Sequence, residues 1–116
     1  MKPLRNPENA AAAEVATELF DSLGEIRIKA MFGGGGVLCD DIFFACIFEG
    51  DIYIKTDDAF ASELAKAGSQ QFLYKKPSTG KVMKMGYWRL PESAMSDPEK
   101  ATILGKRAIG IARKKK

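Results

Sequence analysis

A chain of 116 residues has the usual length of one domain, and 46% apolar residues can form a core that needs no metal or disulfide. No apolar run approaches the roughly 20 residues that cross a bilayer, and no apolar segment follows Met1–Arg5 as in a secretory signal. We therefore expect one domain over residues 1–116, in the cytoplasm and without a membrane partner.

The basic residues are concentrated at the C-terminal end. The formal net charge is +3, yet residues 100–116 contain seven basic residues and no acidic one, which leaves eleven basic and fifteen acidic residues in the first 99. Residues 113–116 form a basic tail. The ordinary role of such residues is to solvate a helix end, and the alternative is weak, non-specific binding of nucleic acid. The candidate contact residues in this region are Lys106, Arg107, Arg113 and Lys114.

The N-terminal third predicts a helix. Asn6–Glu8 has the composition of a helix start, with a capping side chain, a proline and an acid. Apolar residues then recur at helical spacing over Ala12–Leu23, and Gly24 is expected to end the helix.

In the next segment, apolar and polar residues alternate with a period of two. Glu25–Phe32 therefore predicts a strand whose polar face carries Arg27 and Lys29, two further candidates for an interaction surface. The glycine run 33–36 could cradle a phosphate only if a helix followed it, whereas Val37–Cys39 looks like a strand. We interpret the glycines as a turn or bulge.

The strand Ile42–Phe48 is apolar on both faces. Strict alternation assigns Phe43 and Ile47 to the same face, and these two are candidate interaction residues. A half-exposed antiparallel strand would alternate with polar residues, so its second face must be covered by another element or by a second copy. A homodimer is therefore expected.

The two cysteines are predicted to remain reduced. If Asp40 and Asp41 form a two-residue hairpin turn, Cys39 pairs with Ile42 and lies too far from Cys46 along the ladder for a disulfide. Two thiols without any histidine also make a zinc site improbable.

The sequence offers no catalytic constellation. Without histidine, acid–base chemistry would fall to lysines or to the adjacent pairs Asp40–Asp41 and Asp57–Asp58. Both pairs lie at predicted turns, where aspartates ordinarily have a structural role. We expect no enzyme, no cofactor and no metal site.

The remaining elements complete an alternating pattern. Ile52–Lys55 adds a strand, and Asp57 opens a helix that Gly68 closes. Gln71–Lys75 and Lys81–Leu90 form a hairpin, and a last helix begins at residues 96–99. The order is α-β-β-β-α-β-β-α, which predicts an α+β fold with an antiparallel sheet and helices in two layers.

Three aromatic residues of the hairpin have two interpretations. Tyr74, Tyr87 and Trp88 could stack nucleic-acid bases, but no spacing typical of base-stacking sheets accompanies them, and aromatic residues in strands more often pack.

Several blocks together resemble the N-terminal domain of the TfoX/Sxy family, known for regulators of competence for DNA uptake. The blocks are Met31–Gly34, Phe44–Ile47, Asp51–Asp57, Gln71 and Phe72 with Tyr74, and Met85–Pro91. The resemblance spans residues 19–112 and implies a two-layer α+β domain of the secretion-chaperone-like type. It also implies an accessory regulator that acts with a transcription factor, and longer members of the family carry a second, helical DNA-binding domain.

Overall fold

The computed structural model describes residues 7–31, 34–75 and 78–114. The helices are α1 (Pro7–Phe20), α2 (Asp58–Lys66), α3 (Glu92–Met95) and α4 (Pro98–Lys114), and a 3₁₀ turn (Asp21–Leu23) follows α1. The strands are β1 (Ile26–Met31), β2 (Gly34–Cys39), β3 (Ile42–Phe48), β4 (Asp51–Lys55), β5 (Gln71–Lys75) and β6 (Val82–Arg89).

The six strands form one antiparallel sheet in the order β1-β2-β3-β4-β6-β5. The predicted α+β fold and the order of its helical and strand blocks are confirmed. The structure extends the strand-like segment 37–39 back to Gly34 as β2, and it adds the short helix α3. The predicted capping residue Asn6 lies outside the described residues.

One face of the sheet carries the core. Cross-strand partners share a face, and Ile28, Val37, Ala45 and Ile54 form a continuous row through the pairings of β1 to β4. The helices cover this row, and their buried residues belong to the same cluster: Ala16, Phe20, Phe60, Leu64, Ala94, Ala101, Ala108 and Ile111. No helix in the described ranges is long and apolar enough to span a membrane.

The prediction of a turn or bulge for the glycine run is corrected by the structure. Gly34–Gly36 belongs to β2, between β1 and β3, and no helix follows it, so a phosphate cradle is excluded. Close packing explains the residue type at Gly34, because a Cβ there would stand 2.0 Å from the Ile47 carbonyl oxygen. Residues 32 and 33, where β1 leads into β2, lie outside the described ranges.

The β2–β3 hairpin has the predicted two-residue turn. Asp40 and Asp41 adopt φ values of 48° and 69°, as a type I′ turn requires, and Cys39 pairs with Ile42. Both cysteines are free thiols.

The β2–β3 pairing contains an irregularity that alternation could not reveal. Val37 pairs with Ala45 while Leu38 pairs with Phe43, so Phe44 is an extra residue in β3. A bulge of this kind leaves one residue unpaired and shifts the faces on either side of it.

The predicted start of α2 is confirmed. The Asp57 carboxylate accepts a hydrogen bond from the Phe60 amide at 2.8 Å, a normal N-cap contact. The preceding residue, Thr56, is buried, and its backbone N–H and hydroxyl both donate to the Gly86 carbonyl, at 3.0 and 3.1 Å. This contact joins the end of β4 to the part of β6 where Gly86 has a φ of 71°.

Candidate interaction surface

The second face of the sheet carries a row of side chains that spans five strands. Lys29 pairs with Gly36, Gly36 with Cys46, Cys46 with Tyr53, and Tyr53 with Arg89. These residues lie opposite the core row, and the described helices bury their apolar side chains on the other face. We call this second surface the open face.

Aromatic side chains form the floor of the open face. The Phe72 ring lies 5.4 Å from the Phe48 ring and 4.8 Å from the Tyr53 ring, between centroids. The Phe43 and Tyr87 rings meet edge to face at 5.9 Å. Phe72 is 5% exposed, whereas the other four rings are only half-buried. The result is a partly accessible apolar surface that does not belong to the helix-covered core.

Cations lie on one side of this floor and among its rings. Lys29 is exposed on β1, and the Lys55 ammonium lies 4.8 Å from the Tyr87 ring centroid, in cation–π geometry. Arg89 contacts Asp51 at 3.2 Å, and a second pair on this face, Arg27 with Asp41, lies at 3.0 Å. Both ion pairs are substantially exposed, so each contributes little to stability.

The titratable groups in the centre of the floor are held in their neutral forms. Burial raises the pKa of the Cys46 thiol from 9.0 to about 12, although nearby Lys55 lowers it slightly. Burial is also the main reason that the Tyr53 and Tyr87 phenols have raised pKa values, with Asp51 adding to the effect at Tyr53. At neutral pH the thiol and both phenols are therefore protonated and poor nucleophiles.

The predicted interaction residues divide between two surfaces and the core. Arg27, Lys29 and Phe43 lie on the open face. Ile47 does not, because it faces the helices and is 1% exposed. Alternation assigned Phe43 and Ile47 to one face, and the bulge at Phe44 places them on opposite faces.

Sequence reasoning missed several residues of the open face. Tyr53 and Lys55 alternate with the core residues Ile52 and Ile54, so the period of β4 could have identified both. Phe72 and Arg89 carried no such signal, because they reach this face only through the pairing of β5 and β6 with the rest of the sheet. The Trp88 ring packs against the core cluster, and the side chain of Tyr74 lies outside the described residues.

The basic residues of α4 lie away from the open face, since α4 packs on the opposite side of the sheet. The Arg107 guanidinium donates to the Glu63 carboxylate at 2.6 Å and lies 4.3 Å from the Phe60 ring centroid. Arg107 therefore connects α4 to α2. Lys106, Arg113 and Lys114 are exposed.

A shallow groove of about 530 Å³ lies on the helical side of the molecule. It lies between the end of α1 and the start of α4, with Leu19 and Ile103 among its apolar lining residues. Within residues 7–31, 34–75 and 78–114, no group of three or more Cys, Asp or Glu side chains is arranged to hold a metal ion.

The fold and this surface define a small α+β domain with helices on one face of an antiparallel sheet and an aromatic, cation-bordered second face. Residues 18–112 match the family model of the TfoX N-terminal domain, and this match covers most of the chain. The chain therefore belongs to the TfoX N-terminal domain family, a family of competence-related regulators. This confirms the resemblance noted in the sequence.

A curated relative supports the same assignment. The chain is 28% identical over 99 residues to Protein Sxy of Escherichia coli (strain K12). The similarity covers 85% of this chain and 46% of Protein Sxy, so the chain spans about half the length of that relative.

Proposed function

We propose that this protein is an accessory regulator of transcription that acts by contacting a protein partner through its open face. One observation carries the proposal: half-buried aromatic rings on a sheet face that the described helices leave uncovered. Apolar surface of this kind, bordered by charged residues, is typical of protein–protein contacts. Membership of a family of competence-related regulators supports a transcriptional partner.

A binding role agrees better with the chemistry of the face than catalysis does. The Cys46 thiol, with a pKa raised to about 12, is almost entirely protonated at neutral pH. The Tyr53 and Tyr87 phenols have raised pKa values as well, so neither can serve as a base. Catalytic sites normally shift pKa values toward the working pH, and these three shift away from it.

Self-association is part of the proposal. The sheet ends at β1, whose pairing with β2 leaves its outer edge as an edge strand. Such edges, like uncovered sheet faces, are common places for a second copy to bind. We propose a homodimer formed through the sheet or its edge.

A second candidate function is non-specific binding of nucleic acid through the C-terminal half of α4. Lys106, Arg113 and Lys114 are exposed there and supply positive charge that a phosphate backbone would attract. Arg107 is less available for this role because it is engaged by Glu63.

Affinity capture from an extract of the native cell tests the leading proposal. The double variant Lys29→Glu, Tyr53→Ser should lose the captured partner, because it changes both the charge and the apolar character of the open face. Lys106→Glu is the matched control, since it reverses a charge on the other side of the molecule. Both variants must first show wild-type circular dichroism and melting.

The identity of the captured protein decides the outcome. A transcription factor or polymerase subunit retained by Lys106→Glu and lost by the double variant would support the proposal. Equal capture by both variants would exclude the open face as the contact, and loss with Lys106→Glu alone would favour the α4 surface.

A further inference from the structure

We infer that the open face receives an acidic amphipathic helix of a partner protein. This inference rests on the proposed function and specifies the chemistry of the partner segment. The supporting observations are the dimensions of the face, the positions of its cations and the packing of its rings.

The dimensions of the face suit one helix. Lys29 and Arg89 stand at the two ends of a row that crosses five strands, and strands spaced about 4.8 Å apart separate them by about 19 Å. An α-helix with its side chains is roughly 10–12 Å wide, so it can lie over β2 to β4 between these margins, on the rings of Phe43, Phe48 and Tyr53. The seven residues of β3 extend over about 23 Å, the length of about four helical turns.

The charge distribution calls for carboxylates on both flanks of that helix. Arg27 and Lys29 lie on β1, to one side of the rings, whereas Lys55 on β4 and Arg89 on β6 lie among them. The carboxylates near the face lie at its ends: Asp41 and Glu49 in turns, and Asp51 as the first residue of β4. The exposed ion pairs of Arg27 with Asp41 and of Arg89 with Asp51 are weak in water, so each arginine can bind a further carboxylate at little cost.

A second copy suits the open face less well. If two open faces met directly, each would present the same excess of cations over the carboxylates Asp41 and Asp51, and like charges across an interface oppose association. The proposed homodimer would then form at the β1 edge. A partner helix with glutamates or aspartates beside an apolar stripe has the opposite charge on both flanks.

A single-stranded nucleic acid also suits the face less well, because bases stack on exposed ring faces. Here the rings of Phe48 and Tyr53 pack against Phe72, and the Lys55 ammonium lies over the Tyr87 ring. The rings form two apolar clusters, Phe48–Phe72–Tyr53 and Phe43–Tyr87, which suit aliphatic and aromatic side chains at positions i, i+3, i+4 and i+7 of a helix.

Selection from a random library of helical peptides tests the inference without requiring the native partner. Wild-type protein should enrich peptides with an apolar stripe at helical spacing and net negative charge. The best peptide should bind Lys29→Glu, Lys55→Glu at least about tenfold more weakly, a loss of about 1.4 kcal/mol or more. It should bind the control, Lys106→Glu, Lys114→Glu, about as tightly as wild type.

Charge exchange supplies a readout that a folding defect cannot imitate. A peptide in which lysines replace the glutamates should bind the Lys29→Glu, Lys55→Glu variant better than it binds wild type. No enrichment, basic or aperiodic peptides, or equal binding by both double variants would overturn the inference. Displacement of the peptide by a short single-stranded oligonucleotide would identify nucleic acid as the occupant. A dimer in sedimentation equilibrium that dissociates when the peptide binds would identify a second copy.

This experiment separates the inference from the proposed function. Acidic helical peptides that bind the open face, combined with an extract that yields no transcription protein, would refute the regulatory role alone. A transcription protein captured through the open face by a segment that is not acidic and helical would refute the inference alone.

Discussion

Gly105 of α4 packs directly against the Phe20 ring of α1. A Cβ built on Gly105 would stand 2.8 Å from Phe20 Cδ1 and 2.9 Å from Leu23 Cδ1, closer than carbon atoms approach without displacement. Gly110 lies further along the same helix, and a Cβ built there would meet open space. The two glycines of α4 therefore have different roles, although the sequence presents both as helix-weakening residues.

This difference gives a matched pair of substitutions. Gly105→Ala should lower the free energy of unfolding by roughly 1–3 kcal/mol, because the added methyl group overpacks the α1–α4 contact. Gly110→Ala should raise it by up to about 1 kcal/mol through helix propensity alone. Urea unfolding of both variants measures the two effects, and equal changes of the same sign would contradict close packing at Gly105.

Arg107 should contribute to stability, and its neighbour Lys106 should not. Arg107→Ala removes the contacts with Glu63 and Phe60 that connect α4 to α2, whereas Lys106→Ala changes an exposed side chain. We expect a melting temperature lower than wild type only for Arg107→Ala, with part of the loss retained in high salt because the contact with Phe60 is not purely ionic. Identical melting of the two variants would show that the connection is unimportant.

The Cys46 thiol should make stability depend on alkaline pH. Its pKa is raised from 9.0 to about 12 in the folded protein, so the protonated thiol favours folding. That contribution is complete below the unfolded pKa and is lost as the pH rises from about 9 toward 12. The stability difference between wild type and Cys46→Ala should therefore shrink as the pH is raised through this range.

Both cysteines should also be dispensable for assembly. Replacing Cys39 and Cys46 by alanine should leave the oligomeric state and partner capture intact, apart from a modest packing loss. A change in the mobility or binding of wild type on addition of a reducing agent would instead indicate a redox function.

The oligomeric state is a direct test of the predicted homodimer. Sedimentation equilibrium at micromolar concentration should give twice the monomer mass of 12.7 kDa. A monomer at all concentrations would leave the open face and the β1 edge available only to other proteins.

The basic arm, which comprises the C-terminal half of α4 and the basic tail, should bind nucleic acid only weakly. We expect dissociation constants of about 10⁻⁴ to 10⁻⁶ M for a random duplex at physiological salt. The affinity should fall steeply as the salt concentration increases. A chain that ends at Ala112 should bind still more weakly. A preference of roughly 10³-fold for one duplex sequence would instead establish the arm as part of a specific DNA-binding surface.

Local signals in the sequence predicted most of the elements. Pro7 begins α1, the Asp57 carboxylate caps α2, and Pro98 begins α4, because proline and capping residues act on the first helical turn irrespective of what packs later. The alternation of apolar and polar residues also predicted β1 and β4, because one face of each strand is buried. The hairpin turn at Asp40–Asp41 also followed from local sequence.

The glycine strand and the open face required the tertiary structure. Gly34–Gly36 has no side-chain pattern, so its place in the sheet depends on its pairing with β1 and β3 and on the close approach of the Ile47 carbonyl. The sequence by itself determined most of the helices and strands, because caps, turns and periodicity act over a few residues. The tertiary structure alone decided that Phe43 lies on the open face and Ile47 in the core, since the bulge at Phe44 forms only when β2 and β3 pair.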